Sequence, residues 1–341
     1  MPVFQAFVYR PFCSQWMPPT VAGLRFPHVR VLLPRTRLAY IHVRNLLTDA
    51  KRDRSARVSA YVAVWLPEEF LMFYLVKGEV VNATVTDGHG ARAIGIATAL
   101  ERVPSEPEYG DICFHEADEQ QLACMFASQS RPDEPWSTGM KVTDPTELFP
   151  YLNAMAFDGF MEIVAEGTVN YLVFNNGAVQ RAFLSTTHHG TPVDRVSKLF
   201  AREGKAEDTQ VRRWSRVDPL PTQAPPALVH AYRELAVALV ERLAADGRGS
   251  ASALAEQARQ NLLVAHPTLS GFTFNGSVAE DVIADTPSLT VAVGAWLKEF
   301  LFAASDLEAS APETLLHDLT WPRRHMFQSA GLYEQLPWKV L

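Results

Sequence analysis

Through the first two thirds of the chain, short apolar runs alternate with glycine-bearing turns. YVAVWL (61–66), FLMFYLV (70–76) and EVVNATV (79–85) read as three strands, the last two joined by a tight turn at Lys77-Gly78. The same order returns when residue 61 is laid over residue 160. YVAVWL falls on FMEIVA, FLMFYLVKG on VNYLVFNNG, and EVVNATV on AVQRAFL, with no gap from 61 to 85. Asn176-Gly177 is the stronger turn of the two, because a type I′ hairpin requires positive φ at both central positions.

The likeness extends beyond the hairpins. LAYIHVRNLL (38–47) and ELFPYLNAM (147–155) precede the strands as short amphipathic helices. HGARAIGIATALERV (89–103) and HGTPVDRVSKLFARE (189–203) follow them, and Ile96 and Leu100 fall on Val196 and Phe200 at a helical spacing of four. DICFHEAD (111–118) and QVRRWSRVD (210–218) then read as closing strands. Each stretch is thus helix, three-stranded meander, helix, strand. The basic loop TDAKRDRSARVSA of the first is replaced by AFDG in the second.

The remaining chain has a different texture. Residues 1–36 form an extension in which VRVLL (29–33) suits an edge strand, and FASQSRPDEPWSTGMKVTDP (126–145) reads as loop. VDPLPTQAPP (217–226) is a stiffer, proline-rich linker. Beyond it Leu228, Tyr232, Leu235, Leu239 and Leu243 form a helical stripe, and Leu254, Ala258 and Leu262 a second. Ser277 with Glu280 is a capping box. Thr286-Pro287 opens a helix apolar on most faces, expected at the centre of a bundle. The tail carries Tyr333 and Trp338, which either pack on that bundle or dock on a partner. The expected class is α+β: two repeated antiparallel-meander-plus-helix modules (37–125 and 144–218), joined by a linker (126–143). A second linker (219–227) leads to an all-helical C-terminal region (228–341).

Composition narrows the function. With 48% hydrophobic and 20% charged residues, 341 residues suffice for a substantial core. A net charge of −7 argues against a dedicated nucleic-acid binder. Three cysteines without CxxC spacing suit free thiols, and no apolar run is long enough for membrane insertion, so a cytoplasmic location is expected.

Candidate chemistry is sparse. Gly88, Gly90 and Ala93 in GHGARA fit G-x-G-x-x-A, a phosphate-cradling turn, but the strand before it leaves a hairpin rather than a parallel βαβ unit. His89, His188 and His189 lie at corresponding turns and would meet at a metal only if the copies faced each other. His115 and Glu116 with Asp118 and Glu119 form an acid/base candidate or a solvated strand end. Arg212, Arg213 and Arg216 around Trp214 suit an acidic or phosphorylated partner, or a strand with a charged face. Cys113, between Ile112 and Phe114, reads as structural. Neither GxSxG nor GxxxxGK[ST] occurs.

The segment LFPYLNAMAFDGFMEIVAEGTVNYLVFNNGAVQRAF (148–183) resembles the PATAN-type domain of bacteria. Asp158-Gly159 opening Phe160 to Val164, followed by Val173 to Val179, match that family's strand and turn outline. FYLVKGEVVNA matches it too, although Ala60 stands where the opening glycine is expected. The likeness spans roughly 37–118 and 144–218. It implies a protein-interaction module of signalling or surface-motility systems, with no catalytic residues to transfer. The expectation is a non-enzymatic adaptor without cofactor whose partners are other proteins. The alternative is a small-ligand or nucleotide sensor using the Gly88–Ala93 turn or a groove between the modules; an unrecognised hydrolase is a third reading.

Overall fold

Lys77 and Gly78 adopt φ of 52° and 79°, and Asn176 and Gly177 adopt 49° and 75°, so both expected turns close as left-handed pairs. The computed structural model describes residues 23–52, 57–185, 192–200, 209–245, 251–272, 282–304 and 311–340. The Ser277/Glu280 capping box lies outside them. The chain divides into two units, one of 1–93 with 99–220 and one of 94–98 with 221–341.

The first unit is mixed α+β, with two antiparallel sheets. One holds β1 (Arg30–Arg37), β2 (Ala60–Trp65), β3 (Phe70–Val76), β4 (Glu79–Asp87), β5 (Gly90–Ile94) and β6 (Asp111–Glu116), in the order β1-β6-β2-β3-β4-β5. The other holds β7 (Gly159–Ala165), β8 (Thr168–Asn175), β9 (Ala178–Phe183) and β10 (Gln210–Trp214), in the order β10-β7-β8-β9. Their registers correspond. Tyr61 faces Tyr74 and His115, as Phe160 faces Val173 and Trp214. Phe73 faces Ala83, as Leu172 faces Ala182. The register slips once in each meander, between Tyr74 and Leu75 and between Val173 and Phe174.

Helix α1 (Val43–Arg52) turns Val43, Leu47 and Ala50 inward; α2 (Ile96–Arg102) follows β5. The expected helix from 89 is therefore shorter, because residues 90–94 pair as a strand. Helix α3 (Glu119–Ser130) was not foreseen, and the expected linker start at 126 falls inside it. Every residue from Gln121 to Gln129 is buried. Leu122, Met125 and Phe126 share one core with Tyr61, Trp65, Met72 and Tyr74 of the first sheet and with Phe160, Val164, Tyr171 and Trp214 of the second. Each such large side chain contributes about 1.5–3 kcal/mol on burial. The helix's buried polar groups are matched. Gln121 donates to the Pro27 carbonyl at 2.5 Å, Gln129 accepts from Thr86 at 3.1 Å, and Ser128 meets the Tyr171 hydroxyl at 3.1 Å.

The far face of the second sheet, with Met161, Ile163, Leu172 and Phe174, packs on Leu148 and Leu152 of α4 (Pro145–Ala154) and on Val196 and Leu199 of α5 (Pro192–Phe200). Phe26 ties the N-terminal segment into the shared core, stacking on Phe70 at 5.7 Å. Its neighbour Arg25 exchanges backbone bonds with Gly167 and Val169 at 2.8 and 2.9 Å.

The second unit is helical beyond 221. Helices α6 (Pro226–Ala245), α7 (Ala251–Leu262), α8 (Thr286–Ala304), α9 (Pro312–Thr320) and α10 (Arg324–Ser329) share one core. The predicted stripe from Leu228 to Leu243 is buried, and α8 is its central element, with Leu289, Trp296, Leu297 and Phe300 enclosed. The Trp296 indole donates to the Ala255 carbonyl at 3.0 Å, and the Tyr232 hydroxyl meets Thr290 at 2.9 Å.

Candidate interaction surface

Most residues singled out in the sequence are engaged by the fold. The Gly88–Ala93 stretch does not open a helix; it joins antiparallel β4 to β5. The His89 N–H donates to Asp87 Oδ1 at 2.9 Å, and Arg92 reaches both Asp87 oxygens at 2.6 Å. Burial raises the Asp87 pKa, but the Arg92 and His89 bonds outweigh it and hold the carboxyl below its usual range. The His89 N–H and the Arg92 guanidinium, which could meet an anion, are thus taken by a carboxylate of the chain. His188 and His189 lie outside the described residues. Among the described residues no cluster of three His, Cys, Asp or Glu side chains is arranged to hold a metal.

Arg212, Arg213 and Trp214 are not a charged surface. All three are buried in β10. Arg212 sits directly across from Glu162 of β7 and pairs with its carboxylate, which also accepts from the Tyr171 hydroxyl at 3.0 Å. Arg213 donates to the Pro135 carbonyl at 2.8 Å and lies over the Trp136 ring. Trp214 stacks on Phe160 at 4.7 Å. Tyr333 and Trp338 pack against the helical core, Trp338 beside Phe302 at 5.4 Å, so the tail folds onto the bundle. The groove expected between the two α+β stretches is filled by α3.

Sequence reasoning missed one convergence of reactive groups. The Tyr61 hydroxyl meets His115 Nδ1 at 2.9 Å, Cys113 Sγ stands 4.0 Å from that nitrogen, and the His28 ring lies 4.5 Å from the His115 ring. The alternation of β6 puts Cys113 and His115 on one face, which is the signal that was available. The electrostatics oppose catalysis. Burial raises the Cys113 thiol to about 12, and burial with the His28 charge lowers His115 to about 4. A nucleophile needs a thiolate and a base that accepts its proton near neutral pH. Here both groups stay neutral. Glu116 and Asp118 are taken by Arg30 and Arg181.

Open clefts remain on the first unit, one of about 420 Å³ lined by His42, Arg44, Leu100 and Glu101. At the end of β2 and the start of β6, two adjoining clefts of about 480 and 320 Å³ share Leu66, Pro67 and Tyr109. In the first, Arg35 lies 4.1 Å over the Trp65 ring and donates to Asp111 at 2.9 Å. In the second, Glu68, Glu106 and Glu108 line the wall. Tyr109 between them is 71% exposed. Pro67, Pro104 and Pro107 stiffen the loops that carry these groups. The stretch PSEPEYG (104–110) carries no periodicity, which is why the surface was not legible.

Comparison with family models, curated proteins and solved structures finds no match to this chain. Among the described residues no helix is long and apolar enough to cross a membrane.

Proposed function

We propose that the chain is a non-enzymatic adaptor of the cytoplasm that binds other proteins through the surface around Tyr109. The observation that carries this reading is the 71% exposure of that residue between two clefts, beside Leu66 and Pro67. An apolar, rigid patch with a polar rim is the anatomy of a protein-binding site. The deeper reactive groups argue the same way, since His115 and Cys113 are held neutral and Arg212 is consumed by Glu162. The corresponding registers of the two meanders support reading them as copies of one unit. The PATAN-type resemblance supports a role in bacterial signalling or surface motility.

The test is site-specific photocrosslinking in the protein's own host. A benzophenone amino acid replaces Tyr109 in one strain and Val264, 95% exposed in the second unit, in another. Defined protein adducts at 109 and none at 264 are expected. Equal labelling at both positions would overturn the reading.

A further inference from the structure

We infer that the Tyr109 surface takes an extended peptide segment bearing arginine, with a guanidinium seated on Tyr109 and facing Glu68, Glu106 and Glu108. The inference rests on the proposed adaptor role and names the partner's chemistry.

The chain supplies its own template for this binding. The Arg35 guanidinium sits 4.1 Å over the face of Trp65, and two of its nitrogens reach Asp111 Oδ2 at 2.7 and 2.9 Å. An aromatic face and a carboxylate together satisfy both the charge and the planar donor edge of a guanidinium. The adjoining cleft repeats the ingredients with no cation among its own lining residues. Tyr109 offers an open aromatic face, and Glu68, Glu106 and Glu108 are exposed. Among the described residues none of these three carboxylates has a side-chain partner, whereas Glu69 beside them is taken by Arg102 at 2.5 Å.

Charge selects the occupant. Three unpaired carboxylates around one aromatic repel an acidic or phosphorylated ligand and attract a cation. A net charge of −7 adds a long-range field of the same sign. Arginine suits the site better than lysine because it stacks flat and offers a bidentate edge. The occupant is an extended segment because the two clefts run together across Leu66 and Pro67, giving an apolar floor on which a stem or a proline ring can lie. A preformed polyproline-type chain loses little entropy on docking, and rigid loops lose little on the receptor side.

Fluorescence anisotropy with two labelled probes, (Pro-Arg)4 and (Pro-Gln)4, tests the inference on the full chain. The arginine probe should bind at least about tenfold tighter than the glutamine probe, and its affinity should fall as salt rises from about 50 to about 300 mM. The E68Q/E106Q/E108Q variant should lose about tenfold or more for the arginine probe, and Tyr109→Ala about fivefold. All four positions are exposed, so the fold tolerates the changes, and circular dichroism checks this. Equal binding of both probes, or unchanged binding by the triple-glutamine variant, overturns the inference. No binding of the arginine probe at about 100 μM also overturns it. In that case protein adducts at 109 would leave the adaptor reading standing, and their absence would remove both.

Discussion

Gly78 and Gly177 press against the same part of the helix that precedes each meander. A Cβ on Gly78 would stand 2.3 Å from the Ala50 carbonyl oxygen near the end of α1, and one on Gly177 would stand 2.4 Å from Asn153 Cα near the end of α4. Both residues also hold positive φ. Replacement by alanine at either place should therefore destabilise the first unit by roughly 2–4 kcal/mol, from turn strain and a backbone clash together. Gly88→Ala is the control, since nothing lies within 4 Å of its added methyl. Urea denaturation of the three variants checks the contrast, and a small loss at both 78 and 177 would contradict it.

The Glu162–Arg212 pair should behave as a buried ion pair. Both side chains are nearly inaccessible, at 1% and 4%. Glu162→Gln or Arg212→Met alone leaves a charge in the core and should cost about 3–5 kcal/mol. The double replacement should cost clearly less than the sum of the two, because neither charge is left stranded. A double-mutant cycle with additive losses would show that the pair is not coupled.

Stability should fall between pH ~6.5 and about 4 through His115. The unfolded chain protonates this imidazole near its ordinary value, whereas burial and the His28 charge lower the folded value to about 4. Between those limits the unfolded state binds more protons, so its share grows as pH drops. Above pH ~6.5 the contribution is fully present and flat. His115→Asn should remove most of this slope, read from unfolding free energy at pH 7 and pH 5. Asp87 and Asp118, held low in the fold, add a separate loss at more acidic pH, as they protonate below the usual carboxylate range.

Cys113 and Cys124 should be inert in the native protein. Burial raises both thiols, Cys113 to about 12, so only about one molecule in ten thousand carries its thiolate at pH 8. In a Cys13→Ser chain, Ellman's reagent should find neither thiol at once and both in guanidinium. Rapid labelling of native protein would mean that the shared core opens readily.

The two meanders were legible in the sequence through their short apolar runs and turn glycines, although β2, β3 and most of β4 are buried on both faces. The turns at Lys77-Gly78 and Asn176-Gly177 announced the hairpins, and the Leu228–Leu243 stripe announced α6. Helix α3 was missed for a definite reason. Periodicity reveals a helix through the contrast between a buried and an exposed face, and from Gln121 to Gln129 there is no exposed face. The misreading of Arg212 and Arg213 has the same origin. Charge was read as exposure, but the partners that make burial tolerable lie far away in the chain, Glu162 at 50 residues from Arg212 and the Pro135 carbonyl at 78 from Arg213. The Tyr109 surface lies on loops whose sequence carries no period, so only their placement brings Glu68 to Glu106 and Glu108.

The enclosure of α3 has a consequence for how the protein is made. When Ser130 leaves the ribosome, the helix can cover the first sheet, but its other side must wait for strands that end at Trp214. Roughly 85 residues separate the two, and at ~5–20 residues per second that interval lasts about 4–17 s. Throughout it the nascent chain carries an uncovered apolar wall. The half-finished first unit should therefore be prone to aggregation, and slowing translation between 131 and 214 should lengthen that exposure.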